Sequence, residues 1–167
     1  MYKRQVLRLA DHLVLLSAGK VTASGPLTAT LARIDLPEVL AQDVGVVLAG
    51  RVAAGNEPYG LLELEVPGGR LHVAHAALPP GQRLRVQIQS RDVSVALTRP
   101  HDTSVLNLLL ATIVSENTTA GAAHVHLLLD AGGTPLVARV TRWSRDRLSL
   151  TPGTAVWAQI KAVAVLS

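Results

Sequence analysis

The stretch DTSVLNLLLATIV, Asp102 to Val114, sets three small hydrogen-bonding side chains, Thr103, Ser104 and Asn107, just ahead of an apolar run. Two chemistries fit them. Such side chains cap helical turns, because their oxygens accept from the free backbone N–H groups at a helix start. They also suit a small, negatively charged ligand. If the segment turns helically, Ser104 and Asn107, three apart, share one face. The free N–H groups at the start of the turn then point the same way. On the residues alone both readings stay open.

Other chemistry is poorly supplied. The chain has no cysteine, which excludes disulfides, thiolate metal sites and cysteine nucleophiles. His72 and His75 stand three apart, and His124 and His126 two apart. On a strand the second pair shares a face, but two histidines do not complete a zinc site, and no metal is expected. Ser144, Asp146 and His101 can be arranged on paper as nucleophile, acid and base. No G-x-S-x-G elbow or paired-carboxylate motif accompanies them, so no catalytic residue and no enzyme activity are expected.

The elements that position Ser104 and Asn107 read as short strands. The 167 residues are 49% hydrophobic and 17% charged, enough apolar content to fold. The apolar residues are Ala, Val and Leu, with no Phe, two Trp and two Tyr, a composition suited to short strands in register. No apolar run approaches the ~18 residues of a membrane helix, and no direct membrane insertion is expected. MYKRQVLRLADHL carries charges where a signal peptide has its apolar region, which leaves the cytoplasm as the default location. The net charge of +4 admits nucleic acid as a partner. Yet an aromatic content of 2% leaves few faces for bases to stack on, and no nucleic acid is expected.

Three zones follow one another. In residues 1–40, YKRQVLRLA has helical spacing, HLVLL reads as a short buried strand, and SAGK turns into a second strand, VTASG. Pro26 then stands at a helix start, and DLPEVLAQD is a linker. The rest reads as an approximate repeat. PPGQRLRVQIQ matches TPGTAVWAQIK at an offset of 72 residues. LLELEVPGGRLHVAHA resembles HVHLLLDAGGTPLVARV, each a strand, a Gly-Gly turn and a strand. LAGRVAAG pairs with LATIVSEN. Each unit has about five short strands in about 60 residues, which closes most readily into a small OB-like barrel. The units span residues 41–100 and 101–167. The second has an extra piece, TRWSRDRL, a short helix or loop over the barrel mouth.

These stretches carry a family resemblance. VLRLADHLVLLSAGKVTASGPL resembles the end of an ABC nucleotide-binding domain. TSVLNLLLATIV, LVARVTRWSRDRLSLTPG and WAQIKAVAV resemble the oxyanion-binding modules, called MOP or TOBE, at the C-terminus of the ATP-binding subunit of molybdate ABC transporters. The fold implied is mainly β: two tandem OB-like (MOP/TOBE) β-barrel units preceded by a short α/β remnant of a nucleotide-binding domain. No G-x-x-x-x-G-K-[ST] loop, Leu-Ser-Gly-Gly-type signature or apolar run ending in Asp-Glu occurs. The chain is thus expected to be a regulatory part without its motor, unable to hydrolyse ATP.

The resemblance implies a ligand, molybdate or tungstate, and no other cofactor. A tetrahedral dianion is held by converging hydroxyls, N–H groups and at least one cation. By resemblance, Ser104 and Asn107, with Thr103 beside them, lie at or near it. Relatives often have arginine where this chain has Leu106, and Lys161 matches a lysine that contacts the oxyanion. Thr141 and Ser144 match a second segment near the ligand. A solvated strand lysine and loop-capping hydroxyls are the alternatives for these three. Aligning LAGRV with LATIV sets Gln42 opposite Ser104 and Gly45 opposite Asn107, with Asp43 placed to repel a dianion, so the first unit is expected to be degenerate. Family sites sit between modules, which implies a homodimer. In the parent transporter the partners are an ATPase domain and a transmembrane permease, peripheral to the inner membrane. Oxyanion binding would slow import by feedback. The alternative is a ligand-free dimerisation module.

Overall fold

The computed structural model describes residues 3–35, 45–118 and 121–166. It opens with helix α1 (Lys3–Leu9), the hairpin β1 (His12–Ser17) and β2 (Lys20–Pro26), and helix α2 (Leu27–Leu31). The hairpin turns at Ala18 and Gly19, both at positive φ, as a tight two-residue turn requires. Pro26 sits at the N-cap of α2. β1 is a strand, as its residues suggest, but it is not buried: Val14 and Leu16 face outward. An apolar run fixes the strand and not which of its faces is covered. Most of the linker, including Gln42 and Asp43, lies outside the described residues.

The remainder is mainly β. The strands are β3 (Gly45–Asn56), β4 (Leu61–Val66), β5 (Gly69–Ala74), β6 (Arg83–Gln89), β7 (Val93–Ala96), β8 (Asn107–Asn117), β9 (His124–Ala131), β10 (Thr134–Thr141), β11 (Ala155–Ile160) and β12 (Ala164–Val165). The extra piece of the second unit is helix α3 (Arg142–Arg147). Two five-stranded antiparallel sheets result, ordered β12-β6-β3-β4-β5 and β10-β9-β8-β11-β7. The second sheet curls until β10 packs against β7.

The two sheets share the irregularities of their ladders. In both sheets the long strand carries a bulge at the same place, at Ala53 in β3 and at Val114 in β8. In both, a Pro-Gly turn docks on the residue before the bulge. Gly81 donates to the Val52 carbonyl at 2.7 Å, and Gly153 donates to the Ile113 carbonyl at 2.8 Å. The ladder also corrects the alignment of the two long strands by one residue. Val46 pairs with Ile88 and Asn107 with Ile160, so Val46, not Gly45, is the counterpart of Asn107. LAGRV and LATIV have no insertion to reveal the slip, and one residue changes which face a side chain occupies.

Each unit lends its last strand to the other. β7, at the end of the first, pairs with β11 of the second. β12, at the end of the second, pairs with β6 of the first. The hydrogen bonds therefore cross residue 100, and one continuous core runs through both sheets, from Val46, Leu64 and Ile88 to Ile113, Leu129 and Ile160. The two Gly-Gly turns meet at this junction, where the Gly68 N–H donates to Thr134 Oγ1 at 3.1 Å.

Sheet one is also tied to the N-terminal segment. Arg85 donates to the carbonyls of Arg8 (3.0 Å) and Ala10 (2.9 Å) and to the Asp11 carboxylate. Thr28 Oγ1 donates to the Val47 carbonyl at 2.7 Å.

Candidate anion-binding site

Four of the six candidate residues, Thr103, Ser104, Asn107 and Lys161, lie at one end of the second sheet. Asn107 opens β8 and faces Ile160 at the end of β11, and Lys161 follows immediately after that strand. Ser104 lies three residues ahead of Asn107. The segment 102–106 does not turn helically. Instead the Val105 N–H donates to Thr103 Oγ1 at 3.1 Å, a local turn of the kind Thr favours. Asp102, with φ of 53°, sets the chain's direction into it. Ser104 and Lys161 are exposed, with hydroxyl and ammonium open to solvent. The Lys161 backbone N–H donates to the Asp92 carbonyl at 2.8 Å, which fixes the strand end that bears it.

Asn107 is committed differently. It is 6% exposed. Its Oδ1 accepts from the His72 backbone N–H at 2.6 Å, and its Nδ2 donates to the His72 carbonyl at 3.0 Å. The side chain thus imitates one rung of a strand ladder and ties the edge strand β5 to β8. Sequence reasoning marks His72 only as half of a histidine pair. No sequence signal links it to Asn107, because β5 and β8 belong to different units. Nδ2 still has one hydrogen to offer, since a primary amide carries two.

Thr141 and Ser144 lie elsewhere. Thr141 is the N-cap of α3: its Oγ1 accepts from the Ser144 N–H at 3.0 Å and lies 2.8 Å from Ser144 Oγ. The helix is held to the far end of β8 by Arg145, whose Nε donates to Glu116 at 2.9 Å. Glu116 and Asp146 together raise the guanidinium pKa above its ordinary range. Within one chain, β8 separates this cap from the Ser104, Asn107 and Lys161 end.

His124 and His126 both lie on β9. Among the described residues no cluster of three or more potential metal ligands occurs. Among the described residues His126 Nε2 is buried without a partner, and its pKa is lowered, first by burial and then by Arg139 and His124. A depressed histidine pKa means that the folded chain takes up its proton later than the unfolded chain does. Stability is therefore expected to fall as pH drops through the unfolded value of about 6.5. Urea titrations at successive pH values should show a shallower fall for His126→Gln.

A family model for the TOBE domain matches residues 103–166. The chain carries a TOBE domain. That TOBE stretch includes all six candidate residues. Over 98% of its length the chain is 53% identical to the molybdenum import ATP-binding protein ModC of Bordetella parapertussis. It is 55% identical to the ModC of Pseudomonas aeruginosa, also over 98% of its length. It spans 45% and 46% of these two relatives, somewhat under half of each. The fold matches a solved structure of the cytoplasmic molybdate-binding protein ModG with molybdate bound. That match has a TM-score of 0.60 and 24% identity, and covers 71% of this chain and 94% of that one. No described helix is long and apolar enough to cross a membrane.

Proposed function

We propose that this chain is the oxyanion-binding regulatory part of a molybdate importer's ATP-binding subunit, acting as a homodimer on the cytoplasmic side of the inner membrane. Its ligand is molybdate or tungstate. In this reading residues 1–40 are the end of the ATPase domain. Bound oxyanion favours one dimer arrangement over another, and the difference in affinity slows import through the ATPase domains and the permease. The observation that carries the proposal is identity at more than half of all positions, along nearly the whole chain, with molybdenum import subunits. The sheet end bearing the Ser104 hydroxyl and Lys161 ammonium supplies donors of the required kind, with Thr103 shaping the turn. Thr141 and Ser144 contribute from a neighbouring copy.

Titration calorimetry with molybdate, tungstate and sulfate tests this. Heat from the first two alone is expected. Lys161→Ala should weaken that binding about ten- to a hundredfold, the worth of one charge-assisted hydrogen bond, while thermal unfolding stays unchanged. Silence from all three anions at millimolar concentration would sink the proposal.

A second reading, a ligand-free dimerisation module, is favoured by one observation. Both polar atoms of the Asn107 amide are already engaged with His72.

A further inference from the structure

The far end of β8 carries two neighbouring polar side chains, Glu116 and Asn117. Neighbours on a strand point to opposite faces. Glu116 lies opposite Leu127, a core residue, and Asn117 opposite His126. Residues opposite each other on a ladder share a face, so Glu116 stands on the core side and Asn117 on the outer side. From the core side Glu116 takes the Arg145 guanidinium at two points. Nε donates to Oε2 at 2.9 Å, and Nη2 donates to Oε1. That fork is the strongest arrangement of arginine and carboxylate, and it fixes α3.

From the outer side, Asn117 Nδ2 donates to the Ile34 carbonyl. Ile34 follows α2 and is 7% exposed. With Ala32 it packs into the core shared by both units. A carbonyl on a residue this buried is costly to leave unpaired, so the end of the N-terminal segment follows β8. The rest of that segment is held to the first unit, by Arg85 and Thr28. Among the described residues, Asn117 supplies its only hydrogen bond to the second unit. One peptide bond thus separates the anchor of α3 from the anchor of the N-terminal segment.

We propose that Glu116 and Asn117 form a junction that couples α3 to the N-terminal segment across β8, with Arg145 and Ile34 as its two arms. Both are positioning residues, acting through the groups they hold. The junction itself needs no anion. Its regulatory use rests on the oxyanion reading above. Thr141 and Ser144 cap α3, so an anion held there stiffens the helix, and the junction passes the change to residues 27–34.

Amide hydrogen exchange in the full 167-residue chain tests the junction. Ala32 and Arg33 donate to the Thr28 and Thr30 carbonyls at 3.1 and 3.4 Å, and so report on the segment's end. Arg145→Gln should speed their exchange about fivefold or more, although Arg145 binds the other face of β8. Glu116→Gln should do the same. Asn117→Leu should in turn speed exchange at Leu148, whose N–H donates to the Ser144 carbonyl of α3 at 3.0 Å. In the double variant of Arg145→Gln and Asn117→Leu, Ala32 should exchange no faster than in Asn117→Leu alone, because the route is already cut. Exchange along β4, which lies between β3 and β5, should stay unchanged and so separates coupling from general loosening. Arg142→Gln, exposed on the same helix, should move none of these amides. Unchanged Ala32 and Arg33 in both Arg145→Gln and Glu116→Gln, or an equal rise along β4, overturns the junction. With molybdate, the unmodified chain should slow at Leu148 and Ala32 together, and Asn117→Leu at Leu148 alone. Calorimetric heat without that joint slowing overturns the regulatory use. No heat at all overturns the oxyanion reading, and the junction then stands or falls on the variants.

Discussion

Gly68→Ala should destabilise the chain by about 3 kcal/mol or more, at or beyond the upper end of what overpacking normally costs. A β-carbon on Gly68 would lie 1.7 Å from the Ala131 carbonyl oxygen and 2.8 Å from its carbon. Both are backbone atoms at the end of β9, where its turn to β10 begins, so no side chain can swing aside. The only relief is to separate the two Gly-Gly turns. That breaks the hydrogen bond from the Gly68 N–H to Thr134, a residue 1% exposed. Gly60→Ala is the matched control. Gly60 needs a left-handed backbone (φ 61°), which Gly68 does not, but its β-carbon would meet nothing within 4 Å. It should cost only the conformational penalty of about 1–2 kcal/mol. Urea unfolding of both variants decides the matter. Equal midpoints would mean that the two turns do not clasp each other.

The second large effect is expected at Asn107. Asn107→Val installs the residue its counterpart, Val46, already carries. It removes the donor and the acceptor that serve the His72 backbone and leaves an edge strand with two unpaired groups. The cost should be about 2–3 kcal/mol. Asn107→Asp isolates the cause. A carboxylate can still accept from the His72 N–H, but it cannot donate to the His72 carbonyl and faces that oxygen with like charge. This variant should regain stability as acid protonates the new carboxyl group, whereas Asn107→Val should show no such recovery. A neutral effect of both changes in denaturant titrations would make the contact with His72 incidental.

Much of the fold is legible in the residues because strands and hairpins are local. SAGK gives the first turn, the two Gly-Gly turns give the central hairpins, and the shared Gln-Ile exposes the repeat. Alternation names a strand without naming its partner. For that reason the pairing of β7 with β11 and of β12 with β6 cannot be read from either segment. The candidate site divides along the same line. Ser104 and Lys161 reach one sheet end because each borders a strand whose pairing follows from the repeat. The capping role of Thr141 is also local, and hydroxyls three residues apart announce it. The engagement of Asn107 is not local. It depends on β5 of the other unit, 35 residues away. The helical turn once conceivable at Thr103–Asn107 gives way because Asn107 is already the first rung of β8.

The exchange of terminal strands has a bearing on how such a chain changes over generations. A repeat that has lost its surface chemistry is ordinarily free to shrink or disappear. Here deleting the first copy removes β7 from the edge of its sibling, and deleting the second removes β12 from the edge of the first. Drift can rewrite what the first copy displays, as Ala49 and Arg85 stand where Leu110 and Trp157 stand in the second, while its backbone is retained as scaffolding for a neighbour's work.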